Sequence, residues 1–454
     1  MSGAASEAPS FLIVTLGCAK NEVDSDRMRA LLLEAGYREA EGVEDADVAL
    51  INTCSFLASA TSESIEATLE LAQAVEDGVR DLPIVMCGCV PSRYGDELPG
   101  ELPEVAAFVR TDEEDGIVGV VDGVLGREGG EARGASGVLR TVEGTSAYVK
   151  ISDGCDRFCS FCAIPYIRGR YASRRPEEIE AEVRGLLDQG VREIVLIGQD
   201  TGIYGQDLAD VPTLAALLRR LDAIAAPYGA WLRVLYLQPE GMTDELIAAF
   251  RELPSLLPYI DIPIQHCSER VLKAMNRSGD PESLKALFER LRREVPGMVL
   301  RTTAMAGFPG ETVEEAAELE EFLADVGFDY VTVFAFSPEE GTRAAELPDQ
   351  VPEDEKLRRT QRLVDVAESL GFAATAAHVG ERVDVIVDGV DPDVEPPELI
   401  AHAWFQAPDS DGVVHIAEGE ATVGERLTVD LVDSFCYELV GEPTVSPSPE
   451  TEEG

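Results

Sequence analysis

The chain has 454 residues, more than one hydrophobic core usually holds, so we expect two or three domains. Its 37 basic and 86 acidic residues give a formal net charge of −49, which argues against broad, phosphate-driven binding of nucleic acid. The sequence contains no run of 18 apolar residues and no signal peptide, so we expect a cytoplasmic protein without a membrane span. Excess acid also keeps proteins soluble in a salty cytoplasm, so the charge can reflect habitat as well as partners.

Residues 1–140 show alternating strand and helix patterns. Three short apolar runs rich in Val and Ile predict strands, and two helical patterns separate them. The predicted strands are Phe11–Leu16, Val48–Asn52 and Ile84–Met86, and the predicted helices are Ser25–Ala35 and Thr61–Val75. This order is typical of a parallel α/β domain, and the Gly-rich stretch Gly126–Gly137 predicts a linker at its end.

Residues 141–375 repeat the alternation six times. The predicted strands are Tyr148–Ile151, Ile194–Ile197, Leu232–Tyr236, Tyr259–Ile264, Val299–Met305 and Tyr330–Phe336. Six β/α units predict an open (β/α)6 partial barrel, which is three-quarters of the closed eight-fold form. A helix at about Glu353–Leu370 is predicted to complete this central domain.

Residues 376–441 change to a pattern of strands and turns only. The predicted strands are Val383–Val387, Ala401–Phe405, Val413–Ile416 and Leu427–Val432, separated by Asp, Gly and Pro. A small closed antiparallel β-barrel accommodates such a pattern, so the whole chain is expected to be of the α/β class with a terminal all-β domain. The tail, residues 442–454, is rich in Pro, Ser, Thr and Glu and is predicted to be disordered.

The first candidate site is the loop Cys155-x3-Cys159-x2-Cys162, directly after the first strand of the central domain. The carboxyl ends of the strands are the catalytic face of such barrels. Three thiolates on a short loop can hold three irons of a 4Fe–4S cluster and leave the fourth iron open to a ligand. A zinc site of three cysteines and a group of unpaired thiols are the alternatives, but the spacing is unusual for zinc and no fourth ligand lies nearby.

A second candidate site consists of Cys18, Cys54 and Cys89, each just past a predicted strand of the N-terminal domain. Ligands of parallel α/β sheets bind outside the carboxyl ends of the strands, so the three thiols are expected to converge on one crevice. A single free cysteine is more often a small buried hydrophobe, and we expect this of Cys87, which lies within its strand.

The cysteine loop, with Phe161 just before its last cysteine, resembles the signature of the radical S-adenosylmethionine (SAM) superfamily. In that superfamily SAM binds the open iron and is cleaved to a 5′-deoxyadenosyl radical, which removes hydrogen from an unactivated carbon. The resemblance implies that Cys155, Cys159 and Cys162 are the catalytic cluster ligands. It also implies a SAM pocket in the loops after later strands, with candidate contacts Gly198, Gln199, Asp200, Gln265, Gly307 and Glu311. Taken singly, Gly and Pro after a strand indicate only a turn.

Within the superfamily, the chain resembles the methylthiotransferases over residues 11–441. The stretches that carry this resemblance are Thr15–Asn21, Asn52–Cys54 and Gly88–Cys89, followed by the cysteine loop and a terminal barrel called TRAM. The resemblance implies a second 4Fe–4S cluster on Cys18, Cys54 and Cys89. It further implies that SAM serves as both methyl donor and radical source, and that a sulfur donor and an electron donor such as flavodoxin or ferredoxin are partners.

Two branches of this family differ in substrate. One modifies an adenosine of tRNA, and the RimO branch modifies the β-carbon of an aspartate in small-subunit ribosomal protein twelve. Residues 376–441 hold 15 acidic and two basic residues, a net charge of −13, which favours a basic ribosomal protein over RNA. An iron–sulfur electron carrier or sensor is a further alternative, but a carrier needs no large substrate barrel.

Overall fold

The computed structural model describes residues 8–76, 82–127, 140, 142, 144–209, 213–391, 394, 397–417 and 421–444. It contains the three domains expected from the sequence: a parallel α/β domain, an open β/α barrel and a closed β-barrel. No described helix combines the length and apolar composition that a bilayer crossing requires.

The N-terminal domain is built on a five-stranded sheet with the order β2-β1-β3-β4-β5, and every neighbouring pair is parallel. Its strands are β1 (Ser10–Thr15), β2 (Arg38–Glu39), β3 (Val48–Thr53), β4 (Ile84–Gly88) and β5 (Val105–Arg110). Its helices are α1 (Ala19–Glu34), α2 (Ala58–Glu76), α3 (Cys89–Tyr94), α4 (Leu98–Glu101) and α5 (Ile117–Val124). The three predicted strands are present, whereas β2 and β5 at the sheet edges were not predicted.

The central domain has the six expected strands in one parallel sheet, ordered β13-β12-β11-β10-β9-β6. Its strands are β6 (Ser146–Lys150), β7 (Ser152–Asp153), β8 (Ala172–Ser173), β9 (Glu193–Ile197), β10 (Trp231–Val234), β11 (Leu256–Asp261), β12 (Val299–Ala306) and β13 (Tyr330–Ala335). Its helices are α6 (Ile164–Ile167), α7 (Pro176–Asp188), α8 (Leu214–Ala225), α9 (Asp244–Glu252), α10 (Glu269–Ala274), α11 (Pro281–Glu294), α12 (Val313–Val326) and α13 (Glu353–Ala377). The pair β7–β8 forms a small separate antiparallel sheet.

Residues on the two faces of the six-stranded sheet belong to different cores. Ile194, Leu196 and Leu232 pack in one core with helices such as α8, whereas Val195 and Tyr259 pack in a second core with the C-terminal barrel. Successive side chains of a strand point to opposite faces. One face of the sheet therefore packs against the outer helices, and the inner face packs against the C-terminal barrel.

The C-terminal domain is a closed five-stranded barrel with the order β14-β15-β16-β18-β17. Its strands are β14 (Arg382–Asp391), β15 (Glu398–Ala403), β16 (Val414–Ile416), β17 (Arg426–Phe435) and β18 (Glu438–Pro443). The expectation of a wholly antiparallel barrel is wrong in one place, because β16 and β18 pair in parallel to close it.

Three predicted boundaries differ from the structure. The helix expected to end near Leu370 continues to Ala377, because Phe372 packs edge-on against Tyr437 of the C-terminal barrel, with ring centroids 5.0 Å apart. The boundary expected between residues 375 and 376 therefore falls inside α13. Strand β18 continues to Pro443, two residues into the tail predicted to be disordered. Most of the predicted linker, residues 128–137, and residues 445–454 of the tail lie outside the described residues.

A buried charged network fixes the C-terminal barrel to the inner face of the sheet. Arg233 is fully buried, pairs with Glu193 at 2.6 Å, and donates to the backbone carbonyl of Gln406 at 2.9 Å. His402 lies between Glu193 and Asp388, at 2.9 and 2.6 Å. Burial lowers the pKa of His402, but the hydrogen bonds to both carboxylates outweigh burial and raise this pKa to about 9.

This raised pKa predicts a pH-dependent stability of the docked barrel. The folded-state pKa of His402 lies above its unfolded value of about 6.5, so its stabilisation is fully present below pH ~6.5 and disappears as pH rises through about 9. The contribution is about 3 kcal/mol at most. The variant His402→Gln should lower the melting temperature most near pH 6, and its difference from the native chain should shrink above pH 9. Thermal unfolding from pH 6 to 10 measures this, and a constant difference would contradict it.

Candidate active site

The loop that carries Cys155, Cys159 and Cys162 is held in an unusual backbone path. Gly154 has φ +71°, and a side chain there would clash with the carbonyl of Arg170, so glycine is required at the start of the loop. Phe158 also has a positive φ of +48°. Asn276 lies just after α10, and its side-chain amide donates to the carbonyls of Arg157 and Phe158, at 3.0 and 3.1 Å. These two hydrogen bonds hold the backbone of the cysteine loop in place.

The three thiols of this loop are free and partly buried. Burial, together with the neighbouring thiols Cys159 and Cys155, raises the pKa of Cys162 to about 12. Burial and Cys159 raise the pKa of Cys155 in the same way. Thiols that raise one another's pKa lie close together, and coordination by iron favours their deprotonated form because thiolate is the metal ligand.

Three buried acceptor atoms without partners lie in the loops that follow β9 and β11. Among the described residues, Gln199 Oε1, Asp200 Oδ1 and Gln265 Oε1 have no hydrogen-bond donor. Gly198 lies against Ser152, whose Oγ would be 2.6 Å from a Cβ at that position. Buried polar groups are normally satisfied, so these three acceptors fit a ligand that brings donors, as the amino group of SAM does.

Gly307 and Glu311 are already engaged with the rest of the domain. Glu311 Oε2 accepts the backbone N–H of Gly307 at 2.9 Å, and Glu311 Oε1 accepts from Arg359 of α13 at 2.7 Å. Lys356 of the same helix packs directly against Gly307. These contacts tie the loop after β12 to α13, so Gly307 and Glu311 remain predictions as SAM contacts, with less support than the three acceptors.

His266 and Cys267 pack inside the domain. His266 Nδ1 accepts the backbone N–H groups of Cys267 and Ser268, both at 3.0 Å. Burial lowers the pKa of His266 to about 4, so the ring is neutral. Cys267 belongs to the apolar core of the barrel, and burial raises its thiol pKa to about 12. Neither residue has the arrangement of a nucleophile with its base.

Cys18, Cys54 and Cys89 surround the side chain of Asn21. Cys18 occupies the N-cap position of α1, and its Sγ donates to Asn21 Oδ1 at 3.5 Å. The Asn21 amide lies 3.9 Å from Cys89 Sγ. Cys54 lies against Gly17, where a Cβ would be only 2.6 Å from the Cβ of Cys54. The three strand ends therefore bring these thiols to one crevice.

Cys87 and Cys89 differ in surroundings although only one residue separates them. Cys87 is fully buried among apolar residues such as Leu50 and Val109, and burial raises its thiol pKa well above the usual range. Cys89 begins α3, and burial raises its pKa to about 11, opposed by the positive charge of Arg168. A cation near the thiol favours the thiolate, so Cys89 is the ligand candidate of the two.

The two sets of cysteines meet across the interface of the first two domains. Cys89 packs with Ala163 and Ile167 in one small apolar cluster. Ala163 directly follows Cys162, the last cysteine of the loop in the central domain. A residue of one thiol set is therefore in contact with the segment that carries the other set.

A buried charged cluster at the same interface was missed by the sequence analysis. Arg168 pairs with Asp24 of the N-terminal domain at 2.9 Å and with Asp153 at 3.1 Å. Lys150 contacts the same two carboxylates. Glu114 lies nearby with an unpartnered buried oxygen. Charged residues distant in sequence produce no local pattern, and the only available signal was the position of Arg168 shortly after Cys162.

Neither thiol set is arranged for a single metal ion. Within the described part of the chain, no three His, Cys, Asp or Glu side chains are close enough to share one ion. A 4Fe–4S cluster takes one thiolate per iron and therefore has more widely separated ligands. Three thiols in each set correspond in number to three irons of such a cluster.

Three family models match consecutive parts of the chain. Residues 10–110 match the uncharacterized protein family UPF0004, residues 149–323 match the radical SAM superfamily, and residues 379–444 match the TRAM domain. The matches follow the three domains of the fold, and the cysteine loop lies at the beginning of the radical SAM match.

Solved structures share this fold at low sequence identity. The radical S-adenosylmethionine methyltransferase TsrM from Kitasatospora setae is 16% identical, with a TM-score of 0.54 over 72% of this chain and 73% of TsrM. The cobalamin-dependent S-adenosylmethionine radical enzyme OxsB is 12% identical, with a TM-score of 0.51 over 79% of this chain and 56% of OxsB. These similarities concern the fold alone.

Closer relatives extend over nearly the whole chain. The ribosomal protein uS12 methylthiotransferase RimO of Trichlorobacter lovleyi is 40% identical, over 95% of this chain and 97% of that protein. RimO of Synechococcus elongatus is 40% identical, over 96% of this chain and 95% of that protein. RimO of Geobacter sulfurreducens is 39% identical, over 95% and 97%. Because this identity spans all three domains, the chain belongs to the RimO family of ribosomal protein uS12 methylthiotransferases.

Proposed function

We propose that this protein is a radical SAM transferase that adds a methylthio group to the β-carbon of an aspartate in ribosomal protein uS12. The observation that carries the proposal is the contact of Cys89 with Ala163 and Ile167, which brings two thiol sets together at the catalytic end of the barrel. When bound, two 4Fe–4S clusters and SAM would supply hydrogen abstraction from an unactivated carbon, the sulfur and the methyl group.

The residues of the chain divide between these tasks. Cys155, Cys159 and Cys162 hold the catalytic cluster, and Cys18, Cys54 and Cys89 hold the second cluster. Gln199, Asp200 and Gln265 provide acceptors for SAM, and Gly198 leaves room beside them. Asn21 donates toward Cys89 and accepts from Cys18, which keeps the second set in one crevice.

The charge of the C-terminal barrel supports a protein substrate. Arg382 is paired with Asp430 at 2.7 Å, and Arg426 stacks on Trp231 and donates to the carbonyl of Gly229 at 2.6 Å. Both arginines of the segment 376–441 therefore have partners within the protein. Exposed carboxylates remain on this domain, at Glu381, Asp384, Asp409, Glu425 and Asp433. Such a surface repels phosphate and attracts a basic ribosomal protein.

The reaction needs partners that the chain does not provide. An electron donor such as flavodoxin or ferredoxin must reduce the catalytic cluster, and a sulfur donor must replace the sulfur transferred to the product. Free uS12 and the assembled small ribosomal subunit are both candidate forms of the substrate. Since ribosomal proteins work in the cytoplasm, we place the enzyme there.

The first prediction concerns the number of clusters. Two sites of the 4Fe–4S type correspond to about eight irons per chain. Replacing Cys155, Cys159 and Cys162 together by Ala should leave about half of this iron and abolish SAM cleavage, because the second thiol set has its own crevice. Iron analysis and the yield of 5′-deoxyadenosine measure the two effects. Complete loss of iron would show that the N-terminal site does not form independently.

A second prediction uses the neighbours Cys87 and Cys89. Cys89→Ala should remove the iron of the N-terminal cluster and retain that of the catalytic cluster. Cys87→Ala is the matched control, because this thiol lies in the apolar core, and its loss should cost only packing, on the order of 1 kcal/mol. Equal iron loss in the two variants would exclude the assignment of Cys89 as the ligand.

A third prediction concerns the substrate. With uS12, tRNA, SAM and dithionite in one reaction, mass spectrometry should find the methylthio group on an aspartate of uS12 and none on adenosine. Raising the salt concentration should weaken modification of uS12, because the Debye length falls from about 30 Å at 0.01 M to about 8 Å at 0.15 M and the attraction is screened more strongly. Modification of adenosine instead would overturn the choice of substrate and leave the enzyme class intact.

A further inference from the structure

Lys20 is a buried cation without an acidic partner. It is the second residue of α1, two residues after Cys18, and only 9% of its surface is exposed. Its ammonium lies 3.1 Å from the centre of the Tyr236 ring. Among the described residues, no carboxylate oxygen lies within 4.0 Å of the Lys20 ammonium, the largest distance for an ion pair.

Other cations of the catalytic end that are buried or half-buried are paired. Arg168 and Lys150 both contact Asp24 and Asp153, and Arg359 contacts Glu311. A buried charge without a counter-ion is costly, and a contact with an aromatic ring compensates only part of that cost. Lys20 therefore differs from its neighbours in lacking an anion.

Tyr236 fixes the place of the Lys20 ammonium relative to the SAM loops. Tyr236 follows β10 and has a positive φ of +61°, which is rare for a non-glycine residue. Its carbonyl accepts the N–H of Thr201 at 3.1 Å, directly after Asp200. The lysine thus lies over the strand-end loops of the central domain, while its backbone belongs to the N-terminal thiol site.

Burial raises the pKa of Asp261, and the charges of Arg301 and, to a smaller extent, Lys20 lower it, so Lys20 acts on this carboxyl without forming an ion pair with it. Asp261 ends β11, and its Oδ2 accepts the backbone N–H of Tyr236 at 3.2 Å. Its other oxygen lies 4.0 Å from Arg301 Nε. Among the described residues, Asp261 Oδ1 has no hydrogen-bond donor, and neither oxygen of Asp261 is within ion-pair distance of Lys20.

We propose that Lys20 binds the side-chain carboxylate of the target aspartate. This inference rests on the proposed function, and it names the residue that recognises the acceptor side chain. The carboxylate carbon of aspartate is bonded directly to the β-carbon, so an ion pair with Lys20 would hold the acceptor atom beside both thiol sites. It would also distinguish aspartate from asparagine, which has the same shape and no charge.

The test compares Lys20→Met with the native enzyme on two forms of uS12. One form has its native target aspartate, and the other has asparagine in its place. Lys20→Met keeps most of the length of the unbranched side chain and removes the charge. It should lower kcat/KM for the aspartate form by about tenfold to a hundredfold, the range expected when a hydrogen bond between charged groups is lost. The preference for aspartate over asparagine should fall toward one.

Two controls separate recognition from structure. Lys285→Met makes the same change on the outer helix α11, where Lys285 pairs with Asp325, and it should alter neither rate nor preference. Lys20→Arg keeps a cation and should retain part of the preference. Iron content and SAM cleavage without uS12 should be unchanged in Lys20→Met.

Three results would overturn the inference. An unchanged preference for aspartate in Lys20→Met would show that the lysine does not bind the acceptor side chain. Loss of iron or of SAM affinity in this variant would assign the cation to a cofactor instead. Failure of the native enzyme to modify uS12 would overturn the proposed function together with this inference, and it is recognised before any variant is made.

Discussion

The relative position of the first two domains depends on buried ion pairs between them. Arg168 joins Asp24 of the N-terminal domain to Asp153 of the barrel, and Arg93 of the N-terminal domain reaches Glu339 of the barrel. Removing one partner of such a pair leaves an uncompensated buried charge and costs about 3–5 kcal/mol. The pairs add little net stability because their charges are desolvated, but they allow few alternative dockings. The contact of Cys89 with Ala163 and Ile167 is made across this interface.

The C-terminal barrel occupies a different part of the central sheet. Its contacts with the sheet include side chains inside the strands, as in the pairs of Arg233 with Gln406 and Tyr259 with Asp411. The catalytic thiols and the unpartnered acceptors lie after the strands end. The C-terminal domain is thus fixed to the wall of the barrel, whereas the candidate cofactor ligands lie in the strand-end loops.

Sequence was sufficient for the parts of the structure that depend on local pattern. Alternating apolar runs predicted the six central strands, and the position of each cysteine after a strand predicted two convergent thiol sets. Contacts between distant residues left no such pattern. The parallel pairing of β16 with β18 depends on barrel closure, and the extension of α13 depends on the packing of Phe372 against Tyr437. The interface cluster of Asp24, Lys150, Asp153 and Arg168 was missed for the same reason.

The distribution of charge gives the unpaired lysine its significance. The chain has 86 acidic residues and only 37 basic ones, of which five are lysines, so carboxylates are abundant and cations are scarce. In such a chain a cation is easily paired, as Lys150 and Lys356 are with Asp153 and Glu353. Among the described residues, Lys20 has no ion-pair partner although excess acid makes one readily available, and it lies beside a thiol site at the mouth of the barrel. An acidic surface that attracts a basic protein and a buried cation that receives its carboxylate are complementary. The first selects the substrate protein, and the second selects the side chain.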